Sequence, residues 1–284
     1  MTATVQSAEQ DTARRDQVRL FRLNRSVPDA DGYREILELE EKLFLGRAKE
    51  IEAAAPKFGS RGELIKALGE FLATEQAAPS DSDRYLAEET SLAEFKEVVA
   101  QFAVDGLIES QSLLAVIPRL PARSRMAVFR VLIDEFGCGN DDQEHAKLYR
   151  NLLAELDMPT DLDSYVERAT DGVLAFVNLF YWLAARAPAP DYFLGAYSYF
   201  ESSVLYAFRS FEAASKRLGI GSGQYYSEHL YIDAFHSKQM QTAIRELDTE
   251  RGVDYAKVWA GIELTSAIVA EAVDAAVARA RSVA

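Results

Sequence analysis

The segment from Ser222 to Leu247, SGQYYSEHLYIDAFHSKQMQTAIREL, constrains the fold more than any other stretch of the chain. Tyr225, Tyr226, His229, Asp233, His236, Met240, Ile244 and Leu247 recur at the three-to-four spacing of a helix that buries one face. The centre of that face is polar. His229, Asp233 and His236 stand at i, i+4 and i+7, within about 60° of one another at ~100° per residue. Their Cα atoms span roughly 10 Å at ~1.5 Å per residue. That is long for one metal ion and suits two ions ~3.5–4 Å apart. A carboxylate and two imidazoles buried without partners cost several kcal/mol. A chain with this stripe therefore needs polar partners from other helices, or metal.

The rest of the chain supplies helices to pack against it. Residues 1–28 are polar, charged and aperiodic, which predicts a disordered N-terminal tail before a single all-α domain over 29–284. A helix starting near Pro28 or Asp29 carries Leu37, Leu39 and Leu43, and another from Ser60 to Thr74 carries Leu64, Leu68, Phe71 and Leu72. Residues 75–90 have the turn chemistry of a linker. From Ser91, one stripe runs through Phe95, Val98, Val99, Phe102, Gly106, Leu113 and Val116 with Glu109 in its middle, closed by Pro118 and Pro121. A helix from Ala122 to Glu135 meets the breakers Gly137, Cys138, Gly139 and Asn140, and helical pattern resumes by Gln143 with His145, Leu148, Tyr149 and Leu152. Further helices are predicted over Asp163–Arg186, over Asp191–Leu218 with Glu201 on its apolar face, and over Asp254–Arg281. The pattern shows no strand and no repeat, and the expectation is an all-α bundle of roughly seven to nine helices.

Four central helical segments thus place ligand-type residues inside apolar stripes: Glu109; Glu135 and His145; Glu201; and His229, Asp233 and His236. The chain has three histidines, and all fall in this set. Four carboxylates and three neutral imidazoles carry a charge of −4, which two divalent ions balance. Oxygen and imidazole ligands suit iron or manganese, and the lack of paired cysteines disfavours structural zinc. Taken singly, each piece has an ordinary structural explanation: buried acids pair with cations, and Asp233 with His236 can form a buried hydrogen-bonded pair. A ferritin-like map is the rival metal arrangement, since Asp142–His145 and Asp233–His236 mimic its E-x-x-H pairs. That map leaves His229 unused and takes Asp142 from beside a glycine turn.

The formal charge of −14 argues against nucleic acid and anionic membranes as partners. The 49% hydrophobic content is ample for one large core. The single cysteine, Cys138, excludes a disulfide framework and fits a cytoplasmic location. Arg14–Arg15 has no apolar run after it, so no secretory signal is expected. The apolar run Gly172–Ala185 is too short to span a bilayer. The alanine-rich last helix permits a homodimer.

The residues resemble a known family, the haem-oxygenase-like di-iron oxidases and oxygenases, also called iron-containing redox enzymes. The resemblance covers about Glu109 to Met240. It is carried by Glu109, by E-F-G-C-G-N-D-D-Q-E-H from Glu135 to His145, by Glu201, and by H-L-Y-I-D-A-F-H from His229 to His236. It implies a haem-oxygenase-like all-α fold, a non-haem di-iron cofactor and activation of O2 as co-substrate. Members N-oxygenate amines or guanidines, or desaturate and fragment amino acids and fatty acids. N-oxygenating members carry an extra carboxylate on the helix before the histidine, and Glu135 resembles it. Members that cleave C–C bonds place an acid nearer the histidine, where this chain has Asp142. Both acids are present, and the resemblance leans toward N-oxygenation.

The expected ligand map gives one iron to Glu109, His145 and His236 and the other to Glu201, His229 and Asp233, with Glu135 joining or bridging them. Tyr197, Phe200, Phe208, Tyr225 and Tyr226 flank the ligand stripes and are the candidates to line a substrate pocket, although each alone reads as core packing. Cys138 is a minor candidate nucleophile. The leading expectation is an oxygenase that turns the amino group of a small amine, amino heterocycle or guanidine into an N-hydroxy or nitro group in natural-product biosynthesis, with an external electron donor. The alternatives are a di-iron oxidase that desaturates or cleaves an amino acid or fatty acid, and a non-catalytic metal-binding protein. Haem oxygenase is disfavoured, because no histidine precedes His145 to serve as an early axial ligand.

Overall fold

The computed structural model describes the backbone of residues 3–283, and side chains from residue 12 onward except that of Asp233. Thirteen α-helices occur among the described residues: α1 (Ala3–Asn24), α2 (Ala30–Glu40), α3 (Gly46–Ala54), α4 (Arg61–Ala77), α5 (Asp81–Glu88), α6 (Leu92–Gly106), α7 (Ala122–Glu135), α8 (His145–Glu155), α9 (Asp163–Val166), α10 (Asp171–Ala185), α11 (Pro190–Leu218), α12 (Gln224–Arg251) and α13 (Tyr255–Arg281). Local chemistry sets many of the starts. Asp29, Ser60, Ser91, Thr170 and Asp254 each accept a backbone N–H of the first turn, and Ser91 forms a reciprocal capping box with Glu94. Among the described residues no helix is long and apolar enough to cross a membrane.

The long helices α11, α12 and α13 form the centre. α10 packs on α13, α7 on α12, and α1 on the outer side of α10. α11 and α13 meet through two glycines. A Cβ on Gly195 would lie 1.9 Å from the Val258 carbonyl oxygen, and one on Gly261 2.0 Å from that of Tyr192. Only hydrogen fits there, so the two backbones touch. The stripe expected on α12 is buried throughout its described positions, from Tyr225 and Tyr226 through His229 and His236 to Met240, Ile244 and Leu247.

Several boundaries differ from expectation. The N-terminal segment is a helix rather than a disordered tail, and Val18, Leu20, Phe21 and Leu23 are buried. Its inward face mixes apolar residues with amides that pair across the interface. Asn178 Nδ2 donates to the backbone carbonyl and to Oε1 of Gln17, both at 2.9 Å, and Asn24 donates to Asn178 at 3.3 Å. Those matched amides account for the asparagine inside the apolar α10, and they hide the stripe from a hydrophobicity reading. Residues 75–90 are mostly helical, because Ser80 and Asp83 form a capping box that starts α5. Leu37 is exposed, and Ile36 and Phe44 take the inward positions instead. The helix expected over Asp163–Arg186 is two, split before the Thr170 cap.

The stripe from Ser91 to Val116 is also broken. α6 ends at Gly106, Ser110 takes the left-handed conformation at φ 62°, and a tight 3-10 segment follows over Gln111–Arg119. A left-handed serine is uncommon and costs of order 1 kcal/mol or more, found where surrounding structure imposes it. Here the serine stands directly after Glu109 and fixes how that side chain enters the core.

Candidate metal centre

Two groups of ligand atoms lie inside the bundle. Glu109, Glu135, His145 and His229 offer atoms within 4.8 Å of one another, and so do Glu135, Glu201 and His236. Glu135 is common to both. All are buried except Glu109, which is nearly so. They converge from the α6–3-10 turn, the end of α7, the start of α8, the middle of α11 and the first half of α12.

Local sequence explains the pairing of Glu135 with His145. Phe136 and Glu144 form an isolated antiparallel bridge that closes the loop between them. Gly137 has φ 62°, and a Cβ there would lie 2.7 Å from both the Gln143 carbonyl carbon and the Glu144 nitrogen. Glycine is required, and the closed turn brings His145 Nδ1 to 3.1 Å from Glu135 Oε2. Ser110 Oγ donates to the same carboxylate at 2.9 Å, tying the Glu109 turn to Glu135.

His229 and His236 each show one ring nitrogen to the carboxylates of a ligand group and direct the other elsewhere. His229 Nδ1 is 2.7 Å from the Tyr225 carbonyl oxygen, an acceptor, so Nδ1 carries the proton and Nε2 faces Glu109 Oε1 at 2.9 Å. Its ring is packed by Tyr225, Phe208 and His145 with centroids 4.7, 4.9 and 4.3 Å away. His236 Nδ1 lies 3.1 Å from Glu201 Oε2 and 3.5 Å from Glu135 Oε1, while Nε2 faces Asp134 Oδ2 at 3.5 Å. For His229 this is the arrangement metal-ligating histidines take, with the outer nitrogen held by a carbonyl, while the outer nitrogen of His236 faces the Asp134 carboxylate without a well-formed hydrogen bond to it.

The donors fit metal. Glu109 Oε2 is buried without a hydrogen-bond partner among the described residues, and His145 Nδ1, although near Glu135, makes no well-formed hydrogen bond. Without metal, the carboxylates and imidazoles pair by charge. Burial pushes Glu135 up, but His145 foremost, with His229 and His236, outweighs burial and holds it well below the usual carboxylate range. Burial lowers His145, and Glu135 chiefly, helped by Glu109, reverses that and raises it. Oxygen and imidazole donors without thiolate suit iron or manganese.

The structure brings together Glu109, Glu135, His145, Glu201, His229 and His236. Asp233 lies on α12 between the two histidines, and its side chain is outside the described residues. The histidine partition differs from the expected one: His229 sits with Glu109 and His145, and His236 with Glu201. Asp142 is exposed in the turn and belongs to neither group. Cys138 is exposed, and its thiol donates to Asp134 Oδ1 at 3.3 Å.

Two cavities adjoin the cluster. The smaller, about 30 Å³, is lined by Glu109, Glu135, Glu201 and His229 together with Tyr197 and Phe200. The larger, about 80 Å³, is mainly apolar and is lined by Phe200, Phe208, Tyr225, Tyr226, Val269 and Val273 among others. All five aromatic residues expected near a pocket line one cavity or the other. One acid was missed. Asp105 lines both cavities, and burial, then Glu109 and Glu135, push it well above the usual range. Its signal was in the sequence: it precedes Glu109 by one helical turn and continues the face of Val98 and Phe102.

A nitrosourea synthase of Streptomyces achromogenes subsp. streptozoticus is 26% identical over 148 residues, 51% of this chain and 31% of the relative. The chain thus spans under a third of that curated relative's length. A family profile described as iron-containing redox enzyme matches residues 96–269, more than half of the chain. That segment contains both ligand groups, and the chain belongs to the iron-containing redox enzyme family, oxidoreductases with an all-α, haem-oxygenase-like fold.

Proposed function

We propose that this chain is a non-haem di-iron, O2-dependent oxygenase acting on the nitrogen of a small amine, amino heterocycle or guanidine. The observation that carries the reading is the pair of ligand groups sharing Glu135. A carboxylate common to both groups suits two ions held ~3.5–4 Å apart. Glu109, His145 and His229 complete one site with Glu135, and Glu201 and His236 the other, with Asp233 the further ligand there. Two irons bound in this way supply electrons for the reductive activation of O2. The reaction balances as R–NH2 + O2 + 2e⁻ + 2H⁺ → R–NHOH + H2O, with an external electron donor; further oxidation leads to the nitro product.

The chain's own groups prepare this chemistry. Tyr225 fixes the His229 tautomer through its carbonyl. Phe208, Phe200 and the buried tyrosines exclude water from the substrate side. No lysine or arginine lines either cavity among the described residues. That favours a substrate carrying basic nitrogen over a fatty acid or free carboxylate, whose charge would go unpaired there. The partial match to a nitrosourea synthase supports nitrogen chemistry in the same way.

The test mixes the Fe(II)-loaded protein with O2 in a stopped-flow spectrometer and then analyses a panel of amines, amino heterocycles and guanidines by mass spectrometry. A transient visible band formed without substrate, followed by N-hydroxy or nitro products, is expected. A band that needs substrate, with desaturated or cleaved products, would replace this reading with the oxidase one. Iron binding without O2 consumption would leave only a metal-binding protein.

A further inference from the structure

Among the described residues, Asp105 is the one acid lining the two cavities that belongs to neither ligand group. It sits one helical turn before Glu109, at the junction of the two cavities. Its side chain makes no hydrogen bond or ion pair among the described residues. Asp105 is half-buried, and an acid facing a mainly apolar cavity without a protein partner is either held neutral or paired with a cation, which a cationic ligand would supply. The larger cavity opens from Asp105 onto Phe102, Phe208, Phe211, Val269 and Val273. The site thus presents two carboxylates at one end, Glu109 in a ligand group and Asp105 in neither, and a hydrocarbon wall beyond them. A water needs ~10–15 Å³ of such space, so the cavity of about 80 Å³ seats a ligand of roughly five to eight heavy atoms.

We propose that Asp105 receives the cationic head of the substrate, a guanidinium, amidinium or ammonium group, and holds it against the metal centre with the substrate's apolar part in the larger cavity. This rests on the oxygenase reading for its catalytic meaning, while the cation site itself stands on the cavity. A planar guanidinium or amidinium suits it best, because it pairs with a carboxylate through two parallel N–H donors. The neighbouring aromatic rings exclude water from the pair.

The test is calorimetric titration of the anaerobic, iron-loaded protein with two probes of the same shape, propylguanidine, a cation at neutral pH, and propylurea, which is neutral. The wild type should bind propylguanidine at least ~10-fold more tightly than propylurea, since a hydrogen bond to a charged group contributes roughly that much or more. Asp105→Asn should lose ~10–100-fold toward propylguanidine and change little toward propylurea, with iron content unaltered. Asp105→Glu should recover part of the preference for the cation. Equal binding of the two probes by the wild type, or binding of neither, overturns the proposal without recourse to any variant. So does an Asp105→Asn protein that keeps the preference, or one that loses iron, which would make Asp105 a ligand. Cation preference in a protein that consumes no O2 would sink the oxygenase reading alone; O2 consumption without cation preference would sink the role of Asp105 alone.

Discussion

Removing Glu135 should cost both metal ions, whereas removing Glu109 should cost one. Glu135 supplies an atom to each of two compact groups, so its loss reduces the described donors from four to three in one and from three to two in the other. Glu109 and Glu201 each belong to a single group. Loss of an outer partner of a ligand alone weakens metal binding ~10–100-fold. Loss of a ligand that carries charge should exceed that, at both positions, which is more than ~2.7 kcal/mol per ion. Glu135→Gln is the suitable variant, because the amide oxygen still accepts from Ser110 Oγ, whereas alanine would strand that buried hydroxyl at a cost of ~1–3 kcal/mol. After loading with Fe(II) under argon and desalting, iron per chain is read by inductively coupled plasma mass spectrometry, with circular dichroism melts to confirm folding. The wild type should retain about two ions, Glu109→Ala about one, and Glu135→Gln well under one. The same stoichiometry for Glu109→Ala and Glu135→Gln would refute the sharing, and two ions in Glu135→Gln would remove Glu135 from the site.

Three further outcomes are expected. Asp134→Ala should weaken iron at the Glu201–His236 position ~10–100-fold while sparing the other, because Asp134 faces the outer nitrogen of His236; an unchanged Fe(II) titration would exclude that orienting role. Gly195→Ala and Gly261→Ala should each destabilise the fold by ~3 kcal/mol or more in urea, since their Cβ atoms would stand 1.9 and 2.0 Å from carbonyl oxygens; Gly69→Ala, with nothing within 4 Å, should be neutral or stabilising and serves as the control. The metal-free protein should also gain stability from the His145–Glu135 pair over a bounded pH window. His145 is raised, so its share is full below ~6.5 and is lost as pH climbs through its folded value; Glu135 is depressed, so its share is full above ~4.3 and is lost as pH falls through its folded value. The difference in Tm between wild type and Glu135→Gln should therefore peak between ~4.3 and ~6.5 and shrink on either side; a difference that grows steadily from acid to alkaline pH would contradict the pairing.

Much of this arrangement was legible because α12 is amphipathic in an unusual way. Its two histidines fall on its buried face, and burial of His229 and His236 follows from spacing alone. The burial of Glu135, His145 and Glu201 followed from the same logic on other helices. What escaped was set by tertiary contact. The partition of His229 and His236 depends on how α12 is rotated against α7 and α11, and helical periodicity is blind to that. The left-handed Ser110 that ends the Glu109 stripe is held by its bond to Glu135, a residue remote in sequence. α1 hid because its amides are satisfied by Asn178, so its buried face does not look apolar. Asp105 was readable in principle, but a single acid one turn from a stronger candidate draws no notice until a cavity is seen beside it.

The bridge between Phe136 and Glu144 has a consequence for how this half of the centre tolerates change. The chain between those two residues leaves the core and returns to the same place, and residues 138–143 are exposed. The clasp at the base, with Gly137 folded against Gln143 and Glu144, is what registers one ligand against the other. The tip can therefore be lengthened, trimmed or fitted with a tag while Glu135 and His145 keep their mutual distance, which makes this loop the natural place to attach a reporter that senses metal loading from outside.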